Sequence, residues 1–218
     1  MLNKTGWVRK SVVSTIAILG VAAIAEAGPP LICHQFDAGN ARLLPWAANG
    51  TGWNSPDPRY DIKGLTADTL SVLTADAPIL ARMEILRRAT IYASKDDRVA
   101  TELLTAIMAR VQRDTARGRD ALAWFDAGYL VESYRQASHI YKWDMLQGRA
   151  KDEWKLRSEL AVDGYGMVRK ALQVGGPNAE IEFAASLMKD GSVSEEHRRR
   201  AAAGAQPGSL LARNLANH

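Results

Sequence analysis

Cys33 and His34 are the adjacent pair with the most chemistry to offer, because a thiolate and an imidazole can both hold a metal or haem iron. A c-type haem attachment reads Cys-x-x-Cys-His, and Pro30 stands where its first cysteine belongs. Three readings of Cys33 follow. It is a buried, inert thiol packing beside Leu31 and Ile32, a chain-to-chain disulfide, or a single thioether to a haem with His34 as axial ligand. The packing reading is preferred, since Leu31 and Ile32 directly precede it. Cys33 is the only cysteine, so no intramolecular disulfide forms. His139, His197 and His218 stand at no ligand spacing, and the sequence implies no metal site and no cofactor.

Other catalytic constellations are missing. There is no Gly-x-Ser-x-Gly, no His-Glu-x-x-His and no phosphate-cradling glycine loop. Asp126, Glu132 and Asp163 can in principle pair as acid and base across two helices, but 24 acidic residues make such a pairing easy by chance. The run Glu195–Arg200 sets Glu195/Arg199 and Glu196/Arg200 at i,i+4, which reads as a solvated helix face. Rings are concentrated on one predicted helix as Trp124, Phe125, Tyr129 and Tyr134, with Tyr141, Trp143 and Trp154 following. Most read as core. Trp124, Tyr129 and Tyr134 are the candidates to line a ligand-facing surface.

The segments that must position these residues divide into three. Residues 1–27 have the form of a secretory signal: Lys4, Arg9 and Lys10, then an uncharged apolar run from Ser11 to Ala25, then Ala25-Glu26-Ala27. The expected product is a protein of the bacterial periplasm or cell envelope, beginning near Gly28. Removing Lys4, Arg9, Lys10 and Glu26 lowers the formal charge of +4 by two, too little basic excess for a nucleic-acid partner. No segment after the signal is long and apolar enough to span a bilayer. Residues 28–64 hold five of the eight prolines and read as an extended arm, with Leu31, Ile32, Phe36, Leu43, Leu44, Trp46 and Trp53 available to dock.

Residues 65–218 read as a helical domain with no strand. The period predicts helices capped at Thr66, starting by Pro78, capped at Asp96 or Asp97, and opened by Asp120. Further helices are predicted over about Lys151–Val174, around Ile181–Met188, and behind a Ser192/Glu195 capping box. The stripes are apolar on one side only, so helices pack on helices: the fold class is all-α.

A weak repeat overlies this pattern, because Gly128-Tyr129 and Gly164-Tyr165 lie 36 residues apart. Small residues there let two helices approach closely while the ring fills the groove beside them. With Trp124 four residues before Gly128, the unit resembles tetratricopeptide-like helical hairpins, which implies stacked antiparallel hairpins in an α-α superhelix. Gly28-Pro-Pro-Leu-Ile-Cys-His34, Leu44-Pro45-Trp46, Met83-Glu-Ile-Leu-Arg-Arg-Ala-Thr90 and Ile181-Glu-Phe-Ala-Ala185 resemble segments of exported, functionally uncharacterised bacterial helical proteins. The expectation is a non-catalytic binding or scaffold protein with a protein or peptide partner on its helical surface. The alternative is an envelope enzyme or electron carrier built on Cys33-His34.

Overall fold

The computed structural model describes residues 30–47, 52–115, 120–141 and 162–218. Every regular element among them is helical: α1 (Pro30–Cys33), a 3-10 turn (Ile62–Gly64), α2 (Leu65–Val72), α3 (Ile79–Ala93), α4 (Asp97–Thr115), α5 (Ala121–Tyr141), α6 (Gly164–Gly175), α7 (Ala179–Ser186), α8 (Gly191–Gly204) and α9 (Leu210–Asn217). The signal segment 1–27, Trp143 and Trp154 lie outside the described residues.

Side-chain caps set the helix starts. Asp96 accepts from Arg98 N at 2.8 Å, Asp120 from Ala123 N at 2.9 Å, and Asn178 from Glu180 N and Ile181 N at 3.0 Å. Three expectations shift. The helix expected over 151–174 starts, in its described part, at Gly164, because Asp163 is extended (φ −79°, ψ 90°) and caps it through Gly166 N. Thr66 lies inside α2, since the 3-10 turn capped by Asp61 delivers the chain into that helix through Gly64. The Ser192/Glu195 box is unused, because α8 already begins at Gly191, whose φ of +62° suits glycine. The short α1 and α9 show too little period to be read from sequence, although Ser209 caps α9 by accepting from Ala212 N at 3.1 Å.

The centre of the fold is α3, in which every residue except Arg88 is buried. It touches α1, α2, α4, α5 and α7. Around it the helices run as antiparallel pairs. Along α4 and α5, Tyr134 Oη donates to Ala100 O at 3.1 Å while Arg110 meets Asp126 at 2.7 Å. Along α7 and α8, Ser194 Oγ donates to Ser186 O at 2.7 Å and Gly204 lies against Ala179. Along α5 and α6, Gly128 faces Gly164 and Ala121 faces Gly175. A Cβ on Gly128 would stand 2.5 Å from Gly164 O, and one on Gly164 would stand 2.7 Å from Gly128 O. The two glycines of the sequence repeat are therefore each other's contact.

Buried charge ties α3 to its surroundings. Arg82, fully buried, donates to both Asp126 oxygens at 2.9 and 2.7 Å and to Ala77 O at 3.1 Å. Burial pushes the Asp126 carboxyl up, and the guanidiniums of Arg82 and Arg110 pull it back. Two residues further, Glu84 joins Arg87 and Arg88, each at 2.7 Å. This triad grips the arm. Arg87 donates to Ile32 O at 3.2 Å and Trp53 O at 2.7 Å, Arg88 donates to Leu44 O at 2.7 Å, and Glu84 accepts from Phe36 N at 3.1 Å. Tyr92 Oη adds a donor to Pro45 O at 2.7 Å. Leu31, Ile32, Phe36 and Leu44 are buried on the helices, and Trp46 and Trp53 pack beside them. The chain's far end closes over the arm: Asn214 exchanges hydrogen bonds with the Asp37 backbone at 2.9 Å in both directions, and Arg213 meets Asp37 at 2.6 Å.

Candidate functional site

Where α6, α7 and α8 meet, three side chains form a relay. The Asp163 cap places Tyr165 in the first turn of α6, and Glu132 of α5 fixes that turn by accepting from Tyr165 N at 3.0 Å. From there Tyr165 Oη reaches His197 Nε2 of α8 at 2.8 Å. The other imidazole nitrogen, Nδ1, bonds Glu182 Oε2 of α7. The His197 side chain is 8% exposed and that of Glu182 13%, whereas Tyr165 is half-buried. Glu182 is flanked by Arg200 at 3.7 Å. Two more cations lie over the phenol ring, Lys189 Nζ at 4.8 Å and Arg169 Cζ at 5.9 Å from its centroid.

The order of partners decides the tautomer. A carboxylate only accepts, so Nδ1 carries the proton that faces Glu182, and in the neutral ring Nε2 is the acceptor for the Tyr165 hydroxyl. The phenol proton then points at a base that is itself oriented by a carboxylate, the arrangement of an activated nucleophile. Sequence reading missed this relay because His197 sits in the charged run 195–200. The signal available was the inner face of α8: His197 and Ala201 are its only buried positions, and no large apolar side chain is among them.

The sequence-derived candidates are placed differently. Cys33 ends α1 half-buried, and burial pushes its thiol up, with Arg87 opposing, so the thiol stays protonated and unreactive near neutral pH. His34 meets His218 edge-on at 5.2 Å, and His218 stacks on Phe36 at 4.7 Å and meets Phe183 at 5.8 Å. Burial, with His34 nearby, lowers His218 to about 4. Among the described residues, no group of three or more His, Cys, Asp or Glu side chains gathers as a metal would require. The expected ligand-facing aromatics need a correction. Tyr129 and Tyr134 are fully buried because α5 is covered by α3, α4 and α6, and only Trp124 of the three reaches solvent in part. Asp126, Glu132 and Asp163 are engaged by Arg82 and Arg110, by Arg135 and Tyr165 N, and by Gly166 N.

One recess is apolar. Leu104, Thr105, Met108, Ala109 and Gln112 of α4, with Val131 of α5 and Val162, enclose a groove of about 310 Å³. Among the described residues no helix is long and apolar enough to cross a membrane. No protein-family model matches this chain, and no curated protein or solved structure matches it either.

Proposed function

We propose that this is an exported bacterial binding protein that holds an apolar peptide segment of a partner protein in the groove between α4 and α5. The groove carries the reading. Its volume of about 310 Å³ lies at the lower end of the size of ligand pockets, and its lining is mostly apolar with Thr105 and Gln112 as polar markers. Met108 supplies an unbranched side chain that can repack around different residues. The antiparallel pairing of α4, α5 and α6 supports the likeness to tetratricopeptide-like hairpins, whose stacked helices present extended binding surfaces. The alternative, an enzyme or electron carrier on Cys33-His34, has less support, because that thiol is held protonated and His34 is engaged with His218.

The test is a peptide library displayed on phage and selected on the purified protein. Selected peptides should share an apolar consensus, and a synthetic copy should lose at least tenfold in affinity on the Thr105→Arg variant, whose exposed position lets an arginine cover the groove without touching the core. Unchanged affinity on Thr105→Arg, or no selected consensus, would overturn the reading. Export is tested separately: the mature protein from its host should begin at Gly28, and an N-terminus at Met1 contradicts it.

A further inference from the structure

We infer that Tyr165, His197 and Glu182 form a nucleophilic site that transfers and hydrolyses acyl groups from esters of anionic acids. The site is separate from the groove between α4 and α5. Here the three groups are arrayed in order, carboxylate to Nδ1 and Nε2 to phenol, with the base 8% exposed and Tyr165 half-buried beside it. Lys189 and Arg169 over the ring add positive charge where a phenolate develops and where the carboxylate of an anionic acyl group can rest. Both cations and Tyr165 belong to α6 or to the segment joining α7 and α8, so the substrate's charge and its reacting carbonyl would be read from one edge of the fold.

The chemistry closes without a cofactor. Tyr165 Oη attacks the ester carbonyl carbon as its proton passes to His197 Nε2. The C–O bond to the alcohol then breaks, and the departing oxygen takes that proton from Nε2. Water next attacks the acyl-tyrosine while Nε2 accepts one of its protons. The bond from carbon to Oη breaks, Oη is reprotonated from Nε2, and the acid leaves. Glu182 acts through His197 as a positioning residue.

The experiment uses the purified full chain with the mono-4-nitrophenyl ester of terephthalic acid, a singly anionic ester whose carboxylate cannot reach its own ester, beside neutral 4-nitrophenyl benzoate. Wild type should release a burst of 4-nitrophenolate and carry the 4-carboxybenzoyl group on Tyr165 by peptide mass spectrometry, with the anionic ester faster than the neutral one. Tyr165→Phe keeps the ring and should show neither burst nor adduct. His197→Gln should slow the burst about a hundredfold or more, and Glu182→Gln, which keeps an acceptor oxygen but not the charge, should slow it while leaving the melting midpoint near wild type. Hydrolysis equal in wild type and Tyr165→Phe, or an adduct on other residues only, would overturn the proposal. If His197→Gln fails to fold, the comparison of wild type with Tyr165→Phe decides.

Discussion

Replacing Gly128 by alanine tests how closely α5 and α6 are bound to their present separation. The new Cβ would lie 2.5 Å from Gly164 O, 2.9 Å from Met167 Cβ and 2.9 Å from Val168 Cγ2. The first two are backbone or backbone-anchored atoms and cannot swing aside. Relief requires the helices to part by about 1 Å, which forfeits roughly a quarter to a half of the dispersion attraction along the seam. Overpacking typically costs about 1–3 kcal/mol, and a clash with a backbone oxygen belongs in the upper part of that range, about 2–3 kcal/mol, while alanine returns about 1 kcal/mol of helix propensity over glycine. The net expectation is a loss of roughly 1–2 kcal/mol, or about 2–8 °C in the midpoint for a chain of this size. Gly164→Ala should behave alike, because its Cβ would meet Gly128 O at 2.7 Å and Glu132 Oε1 at 2.8 Å. The double variant should lose less than the sum, since helices already parted admit the second methyl more easily. Circular dichroism melts and urea titrations of the four proteins measure this. A midpoint for Gly128→Ala equal to or above wild type would refute the reasoning, for it would mean propensity outweighs the contact.

Asp126→Asn leaves the fully buried Arg82 without its counter-charge, and about 3–5 kcal/mol should be lost in urea unfolding, whereas Arg82→Met with Asp126→Leu should lose less. Glu84→Gln should accelerate hydrogen exchange at Phe36, from whose amide Glu84 accepts at 3.1 Å, more than at Tyr134 of α5. His218 is lowered by burial from 6.5 to about 4, so between those values the unfolded chain binds a proton that the folded chain refuses. Stability from this group is complete above 6.5 and should decline as pH falls toward 4, by about 1–2 kcal/mol after solvent screening of a half-exposed ring. His218→Phe should flatten that slope in pH-dependent melts.

The helical class was legible because one-sided apolar stripes repeat along 79–93, 97–115 and 121–141, and a stripe is a property of neighbouring residues alone. That Gly128 and Gly164 sit where helices approach closely was legible for a related reason, a small residue beside a ring twice at one spacing; that the two meet each other was not. The relay was not. Tyr165, Glu182 and His197 are drawn from three helices, and their meeting depends on where Asp163 starts α6 and Asp190 precedes α8. Nor was the burial of Arg82 and Arg87 visible, because a charged residue in a helical period looks solvent-facing until its partners, Asp126 and the arm carbonyls, are brought in from far along the chain. Tyr129 and Tyr134 were misjudged on the same ground, since whether a ring faces a ligand or the core depends on which helices cover it.

The reciprocal bonds between Asp37 and Asn214 impose a schedule on synthesis. The arm leaves the ribosome early, yet its closing partner is 177 residues downstream. At the usual pace of translation that is a wait of about 10–35 s. To the end of that interval the side of Phe36 on which His218 will stack is open to water. The nascent chain therefore carries an uncapped apolar edge until the segment around Asn214 emerges. A chain stalled before residue 214 would still expose that edge.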